Sequence, residues 1–334
     1  MELKRIRIGQ IGLGHNHGEA KMIDFRRFPE LYDVVGWAED DESWVEKRGK
    51  KPGYEGLPRL DIDELLDKCD AILVETDVPR LTRTAQMCLD AGKHIHLDKP
   101  GSVDCPESLA RFKTMLDTAE RKGLTVQMGY MYRCNPAIRW CMDKVRSGEL
   151  GEITSINAEM STCHEKSYRE WLTGFPGGIM YILGCHLIDL SVSVLGEPLR
   201  VTPFLKHTGK DGIDFPDNDL AVLEYERALA RIFVSSVEVN GYGRRQFVVS
   251  GTEGTVAIMP IEHTLAVTYA HTSMGGRTYQ DCHEVVEIPD VPKGGRYLEM
   301  AKDFYDYVNG IKENPYTYEH EYIVQKTLMR AIGQ

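Results

Sequence analysis

The segment Ile6–Gly18, which reads IRIGQIGLGHNHG, is the strongest indication of architecture in this chain. Its first half has the apolar composition of a buried β-strand, predicted over Arg5–Ile11, and its second half is a turn rich in glycine and histidine. Gly12 permits a tight turn directly after the strand, and Gly14 lets a ligand approach the backbone closely. A helix that starts at this turn would offer free N–H groups and a positive dipole end to an anion. The stretch therefore predicts a phosphate-binding turn between a strand and a helix.

The segments that follow this turn alternate between strand-like and helix-like patterns, which is the order of a parallel sheet covered by helices. Predicted strands are Val34–Ala38, Ala71–Val74, His94–Leu97 and Leu124–Met128, and predicted helices are Asp61–Lys68, Leu81–Ala91 and Pro106–Lys122. The four residues AILV at 71–74 are all apolar, as in a strand buried on both faces. We therefore predict an α/β Rossmann domain with a doubly wound parallel sheet over residues 1–128, binding a dinucleotide.

The pattern changes after this point, and residues 129–334 are expected to form an α+β domain with a large, open, mostly antiparallel sheet. Predicted helices are Asn135–Ser147, Ile179–Leu195, Tyr297–Ile311 and Glu319–Ile332. Predicted strands are Ile153–Met160, Leu220–Glu226, Leu229–Val239, Arg245–Ser250, Thr255–Met259 and Thr264–Ala270. A sheet face without covering helices should pack against another subunit. A homodimer or homotetramer formed through this sheet is the expected assembly.

Composition narrows the class of protein. The chain has 334 residues and a net charge of −11, which argues against a nucleic-acid partner. No apolar run is long enough for a membrane span, and the N-terminus lacks the pattern of a signal peptide. The eight cysteines show no paired spacing, so we expect reduced thiols in a cytoplasmic protein. The basic stretch 47–51 (KRGKK) is interpreted as the solvated end of a helix.

Two further features concern the cofactor. His17 stands where the usual GxGxxG pattern has its third glycine, so either the helix shifts or this side chain points into the cleft. Glu39 lies at the end of the second strand, where a carboxylate can accept hydrogen bonds from both ribose hydroxyls and would repel a 2′-phosphate. We therefore expect NAD, in preference to NADP, as the cofactor. The alternative is that the acidic run 39–42 only caps the next helix.

The segment His96–Pro100 (HLDKP) contains the predicted catalytic lysine. Pro100 restricts Lys99 to an extended backbone, at the carboxyl end of a parallel strand where such folds place their ligands. Lys99 can then hydrogen-bond the reacting oxygen and stabilise its developing negative charge. On the later helix, His186 shares a stripe with Ile182, Asp189 and Ser193. An imidazole there can accept a hydroxyl proton near neutral pH, although a buried structural histidine is the alternative.

The whole chain resembles the Gfo/Idh/MocA family of sugar and polyol oxidoreductases. The matching stretches are GLGHNHG at 12–18, AGKHIHLDKP at 91–100, GYMYRCNPAI at 129–138, GGIMYILGCHLIDLSVSVLGEP at 177–198 and SGTEGTVAI at 250–258. The resemblance implies a large-sheet substrate domain and a hydroxyl–carbonyl interconversion at a ring carbon. It also implies that Asp189 contacts substrate hydroxyls or orients His186. The family's usual Glu-Lys-Pro is here Asp98-Lys99-Pro100.

One departure from the family concerns the histidine. Inositol dehydrogenase-like members carry an aspartate four residues before it, where this chain has Ile182. Isoleucine can neither accept a proton nor orient an imidazole, so another residue must replace that aspartate, or His186 works without it, or dehydrogenase activity is weak or absent. The candidate replacements are His164, Glu165, Tyr168 and Tyr181.

These observations predict an NAD-dependent oxidoreductase that acts on a secondary hydroxyl of a sugar, cyclitol or related polyol, with Lys99 and His186 as catalytic residues. Expected substrate contacts are Asp189, His164 and Tyr168, and expected cofactor contacts are Gly12, Gly14, His15, Asn16, His17, Glu39, Thr76, Asp98 and Lys99. No metal is expected, because the pairs His15/His17 and His94/His96 lack an evident third ligand. The alternatives are an enzyme that cleaves glycosides through transient oxidation by bound NAD, and a non-enzymatic NAD- or sugar-responsive protein.

Overall fold

A computed structural model of the chain describes residues 4–262, 266–275, 282–288 and 295–334. These residues form two compact units. The first contains residues 4–131 and 295–322, and the second contains the described residues of 132–288 together with 323–334. Among the helices described, none has the length and apolar character needed to span a lipid bilayer.

The secondary structure follows the predicted alternation in its first half. The strands are β1 (Ile6–Ile11), β2 (Tyr32–Ala38), β3 (Ala71–Val74), β4 (His94–Leu97), β5 (Val126–Met128), β6 (Ile153–Glu159), β7 (Arg200–Lys206), β8 (Asn218–Glu224), β9 (Leu229–Ser235), β10 (Gln246–Gly251), β11 (Gly254–Ile258), β12 (Ala266–His271) and β13 (His283–Glu287). The helices are α1 (Gly18–Phe25), α2 (Glu42–Arg48), α3 (Ile62–Lys68), α4 (Leu81–Asp90), α5 (Ser108–Lys122), α6 (Pro136–Arg146), α7 (Lys166–Leu172), α8 (Cys185–Leu195), α9 (Leu298–Val308) and α10 (Tyr318–Ala331). The predicted strand Thr264–Ala270 begins outside the described residues.

The first unit contains a five-stranded sheet in the order β2-β1-β3-β4-β5, and all of its strand pairs are parallel. The predicted doubly wound sheet is therefore confirmed. The chain leaves β1 in one direction to form β2 and then returns past it to form β3. Open sheets of this kind bind ligands at that reversal, beyond the carboxyl ends of the strands. The turn after β1 and the segments after β3 and β4 meet at this edge.

Helix α9 belongs to the first unit, whereas the sequence placed it in the second domain. Its aromatic side chain Phe304 packs against Phe25, with ring centroids 6.3 Å apart. The Tyr32 hydroxyl donates a hydrogen bond of 2.7 Å to the Ala301 carbonyl. The boundary predicted after residue 128 therefore does not account for α9, which comes back to the first unit from late in the chain. A helical pattern does not reveal which sheet the apolar face of a helix covers.

The second unit contains an eight-stranded sheet in the order β13-β12-β11-β10-β6-β9-β8-β7. Its pairs are antiparallel except for β6 with β9, so the predicted large, mostly antiparallel sheet is confirmed. Helix α8 packs against β6 and β9. The edge strands β7 and β13 were not predicted. Pro203 in β7 argues against a central strand, but an edge strand tolerates proline because one side of its backbone makes no ladder hydrogen bonds.

The predicted continuous helix Ile179–Leu195 is wrong in its first turn. Met180–Gly184 form a π-helical turn, and the α-helix starts only at Cys185. Gly177 and Gly178, which precede this turn, both have positive φ angles. Because a π turn has more residues than an α turn, Ile182 and His186 do not follow the α-helical stripe that the sequence suggested.

Candidate active site

The turn after β1 packs so closely on the end of β3 that only glycine fits at two positions. Gly12 has a φ of +98°, and a Cβ atom there would lie 2.3 Å from the Thr76 backbone nitrogen. A Cβ atom on Gly14 would lie 2.4 Å from the Asp77 backbone nitrogen. The two glycines therefore allow the turn to pack against the switch point of the sheet. The sequence predicted the tight turn at Gly12, but not this packing against the end of β3.

Backbone N–H groups of this turn divide into two sets. Leu13 donates to the Glu39 carboxylate over 2.8 Å, and His15 donates to the Glu75 carbonyl over 2.9 Å. The N–H groups of Gly14 and Asn16 have no hydrogen-bond partner within the described part of the chain. Two unpartnered donors on a glycine turn before a helix match the requirements of a dinucleotide pyrophosphate.

Glu39 faces this turn and does not cap the following helix. Its carboxylate accepts from the backbone N–H groups of Leu13 and of Asp41 and lies 3.2 Å from Arg80 Nη2. The cap of α2 is Asp41, whose side chain accepts from the Ser43 backbone N–H. A cavity of about 620 Å³ begins at Glu39, and its charged lining is mainly acidic: Glu39, Asp40, Asp61, Asp63 and Glu64, with Arg59.

Arg48 was interpreted as part of a solvated basic stretch, and this interpretation is wrong. Its guanidinium reaches into the turn and packs 4.8 Å from the centre of the Trp44 ring. Nη1 donates to the backbone carbonyls of Leu13 (2.9 Å), Gly14 (3.0 Å) and His15 (2.7 Å). Nη2 donates to Asn16 Oδ1 over 2.7 Å. Burial lowers the pKa of Arg48 from its ordinary value.

A buried polar cluster lies beneath the turn. Lys21 Nζ lies 2.9 Å from Glu75 Oε1 and 2.5 Å from Asp98 Oδ2, and all three side chains are inaccessible to solvent. His15 Nδ1 and His17 Nδ1 approach the same Asp98 oxygen at 2.9 and 3.3 Å. His17, which replaces the third glycine, therefore points towards the end of β4.

Electrostatics distinguishes the two carboxyl groups of this cluster. Burial raises the pKa of Glu75 well above its ordinary value. Burial acts in the same direction on Asp98, but the contacts of His15, Lys21 and His17 outweigh it and hold the pKa of Asp98 well below its ordinary value. Burial lowers the pKa of His17 to about 3, so this imidazole is neutral near pH 7.

Asp98 supplies the third potential metal ligand that the sequence did not reveal. The ligand atoms of His15, His17 and Asp98 lie within 4.8 Å of one another. However, the Lys21 ammonium lies 2.5 Å from Asp98 Oδ2, the carboxylate oxygen that both imidazoles approach. The positive charge of Lys21 would repel a metal ion at that place, and the absence of a metal stays a prediction.

Lys99 follows this cluster directly. It is 4% exposed, and its backbone N–H donates to Asp98 Oδ1 over 2.7 Å. The peptide bond between Lys99 and Pro100 is cis. Asp98 thus connects the buried cluster to the backbone of the predicted catalytic residue, just beyond the carboxyl end of β4.

The second unit contains the other predicted catalytic residue, His186, which is 2% exposed. Its ring meets the Tyr132 ring edge to face, with centroids 5.0 Å apart. Asp189, one turn further along α8, forms a buried ion pair with Arg133, whose Nε lies 3.0 Å from each carboxylate oxygen. Arg133 therefore fixes the orientation of the carboxylate that the resemblance assigned to the substrate or to His186.

Tyr132 links this histidine to further polar side chains of the second unit. The Tyr132 hydroxyl donates to Glu262, which also pairs with Arg245 at 2.5 Å. His164 stacks on Tyr168 with ring centroids 4.1 Å apart. Burial, with a further contribution from Arg245, lowers the pKa of His164 to about 4.

Five residues of these two sites were missed from the sequence: Lys21, Arg48, Glu75, Tyr132 and Arg133. Tyr132 and Arg133 stand in the motif GYMYRCNPAI, so the resemblance could have drawn attention to them. Lys21 and Glu75 gave no such signal, because a charged residue on a helix or at a strand end is usually exposed.

The fold and the turn after β1 define a dinucleotide-binding Rossmann protein with a second, large-sheet domain. Residues 6–130 match the oxidoreductase family with an NAD-binding Rossmann fold, and residues 138–257 match the C-terminal domain of GFO/IDH/MocA proteins. The chain belongs to the Gfo/Idh/MocA family of oxidoreductases, as the sequence resemblance indicated.

Curated relatives match parts of the chain at low identity. An uncharacterized oxidoreductase of Escherichia coli, YhhX, is 30% identical over 42% of this chain and 40% of its own length. Glucose-6-phosphate 3-dehydrogenase of Bacillus subtilis is 28% identical over 55% of this chain and 51% of its own. The scyllo-inositol 2-dehydrogenase (NADP+) IolW of the same organism is 25% identical over 34% and 32%. The matches thus span less than two thirds of each of these relatives.

Solved structures share the whole fold. An oxidoreductase from Desulfitobacterium hafniense has a TM-score of 0.82 at 19% identity, covering 99% of this chain and 95% of that one. An oxidoreductase from Agrobacterium radiobacter, solved with NAD+, L-tartaric acid and magnesium, has a TM-score of 0.81 at 16% identity, covering 98% and 96%. At these identities the likeness concerns the fold alone.

Proposed function

We propose that this chain is an NAD-dependent oxidoreductase that interconverts a secondary hydroxyl and a ketone on a sugar, cyclitol or related polyol. The observation that carries the proposal is the buried Lys99 beyond the end of β4, in the same unit as a glycine turn with two unpartnered N–H groups. Relatives named as glucose-6-phosphate and scyllo-inositol dehydrogenases support this substrate class.

The residues at the edge of the first sheet fit the cofactor. Gly14 and Asn16 would bind the pyrophosphate through their N–H groups, and Gly12 and Thr76 form the tight contact that shapes the turn. The acidic lining around Glu39 supports NAD over NADP, because a 2′-phosphate there would face several carboxylates. When bound, the nicotinamide ring accepts or returns the hydride.

Lys99 would stabilise the oxygen of the reacting carbon. A buried ammonium acts in surroundings of low dielectric constant, where its attraction for a developing alkoxide is stronger than in water. The hydrogen bond from the Lys99 N–H to Asp98 fixes the backbone of this residue. Its position is therefore set before a substrate arrives.

His186 would take the hydroxyl proton during oxidation and return it during reduction. The edge-to-face contact with Tyr132 supports this role because it limits the rotation of the imidazole ring. We propose that Tyr132 does part of the work of the family aspartate that Ile182 replaces. Asp189, held by Arg133, together with His164 and Tyr168 would contact the other hydroxyls of the substrate.

The test is turnover by a Lys99→Met variant on a panel of sugars and polyols, followed by NADH absorbance. We expect catalysis to fall by at least about a hundredfold while NAD+ binding is kept. Lys93→Met is the matched control, because Lys93 lies just before the opposite end of the same strand. Equal rates for the two variants would remove Lys99 from the mechanism.

We also propose that the open face of the second sheet joins subunits into a homodimer or homotetramer in the cytoplasm. Phe204, Leu220 and Phe233 are neighbours across β7, β8 and β9 in the strand register, and Phe204 is exposed. Light scattering of the purified protein tests this assembly. We expect the mass of a dimer or tetramer for the wild type and a smaller mass for Phe233→Glu. A monomeric wild type whose mass does not change in Phe233→Glu would refute the proposal.

A further inference from the structure

The position of Arg48 in the structure suggests a role in shaping the turn after β1. Its place in the sequence gives no sign of this role. It is the last residue of α2, outside the glycine motif and beyond the acidic residue that ends β2. Its guanidinium contacts three consecutive carbonyls of the turn, at 2.7 to 3.0 Å, and the Asn16 side chain at 2.7 Å. No other described side chain donates to those three carbonyls.

The peptide groups that Arg48 holds are those that carry the unpartnered donors. In a planar trans peptide the N–H points away from the C=O of the same unit. The Leu13 carbonyl shares its peptide with the Gly14 N–H, and the His15 carbonyl shares its peptide with the Asn16 N–H. Drawing both carbonyls towards one cation therefore turns both N–H groups to the opposite side.

The middle peptide shows the same geometry and already has a partner on its N–H side. The Gly14 carbonyl accepts from Arg48, while the His15 N–H of that peptide donates to the Glu75 carbonyl over 2.9 Å. The turn is thus fixed at its centre by β3 and along its carbonyl side by Arg48. Only the two outer N–H groups are left for a ligand.

We infer that Arg48 is a positioning residue for the cofactor. It orients and polarises the N–H groups of Gly14 and Asn16 towards the pyrophosphate, from behind the turn and without contacting the cofactor itself. Hydrogen bonds to a charged donor are stronger than neutral ones, and chains of hydrogen bonds polarise one another. The inference deepens the cofactor binding proposed above and rests on it.

The test compares ligands with and without a diphosphate. In Arg48→Ala, we expect the affinity for NAD+ and for ADP to fall about tenfold or more, measured by calorimetry and by displacement of bound NADH. The affinity for adenosine, which lacks phosphate, should stay unchanged. If Arg48 only keeps the domain folded, the affinities for NAD+, ADP and adenosine should all fall together.

Lys47→Ala is the matched control. Lys47 is the preceding residue and lies over the same Trp44 ring at 5.0 Å, but it is exposed and does not reach the turn. If Arg48→Ala does not fold, Arg48→Lys is measured in the same way, because its single ammonium nitrogen cannot span the sites that two guanidinium nitrogens contact. A folded variant that binds ADP like the wild type would overturn the inference. A wild-type protein that binds no dinucleotide would instead overturn the proposed function.

Discussion

Replacing Lys21 by Met tests the electrostatics of the first unit most directly. The ammonium lies 2.5 Å from Asp98 Oδ2 and 2.9 Å from Glu75 Oε1, with all three side chains completely buried. Methionine has a similar length and fills the same space. The substitution therefore removes the positive charge, while the carboxyl groups of Asp98 and Glu75 stay buried.

The expected cost follows from this burial. Removing one partner of a buried ion pair destabilises a protein by about 3–5 kcal/mol, because the remaining charge has no compensation. Lys51, in the same unit, provides the control. It pairs with Glu19 at 2.8 Å, but its side chain is 43% exposed. Lys51→Met should cost less than about 1 kcal/mol.

The assay is urea unfolding followed by tryptophan fluorescence, to which Trp37 and Trp44 contribute from the first unit and Trp140 and Trp171 from the second. A second substitution, Glu75→Gln in the Lys21→Met background, should restore part of the lost free energy of unfolding because it removes one of the two carboxyl groups. If Lys21→Met costs no more than Lys51→Met, or if Glu75→Gln restores nothing, the buried charges do not stabilise the unit as argued.

Two further predictions concern pH and coenzyme choice. Burial lowers the pKa of His96 to about 3 from 6.5, so an unfolded chain binds a proton that the folded one resists. Stability should therefore fall as the pH drops from about 6.5 towards 3, by up to about 5 kcal/mol from this group, and His96→Gln should flatten the slope of unfolding free energy against pH. Glu39→Gln should narrow the proposed preference for NAD+ over NADP+ by about tenfold in dissociation constants, since the acidic cavity loses one negative charge. Glu42→Gln, in the same acidic run but exposed, should leave the ratio unchanged.

Local patterns predicted the first sheet well. The apolar run at Ala71–Val74 is a fully buried strand, and Gly123 ends α5 in the left-handed conformation expected of a helix C-terminus. The glycine turn lies where its sequence placed it. In each case the sequence signal lies in residues that are adjacent along the chain.

What the sequence left undetermined depends on contacts between distant residues. Arg48 and Lys21 looked like solvated charges, because nothing in their own helices shows that Leu13 or Asp98 folds against them. The role of Asp189 could be carried over from the family, whereas its ion pair with Arg133 joins residues 56 positions apart. Periodicity indicates that a side chain is buried, but it does not identify its partner.

Helix α9 has a consequence for the order in which this protein is completed during synthesis. Phe25 and Tyr32 emerge from the ribosome early, whereas Ala301 and Phe304, which pack against them, emerge only after the entire second sheet. Domains generally fold in the order of their synthesis. Here the nascent dinucleotide-binding unit must wait with an aromatic surface uncovered until α9, at residues 298–308, has been translated.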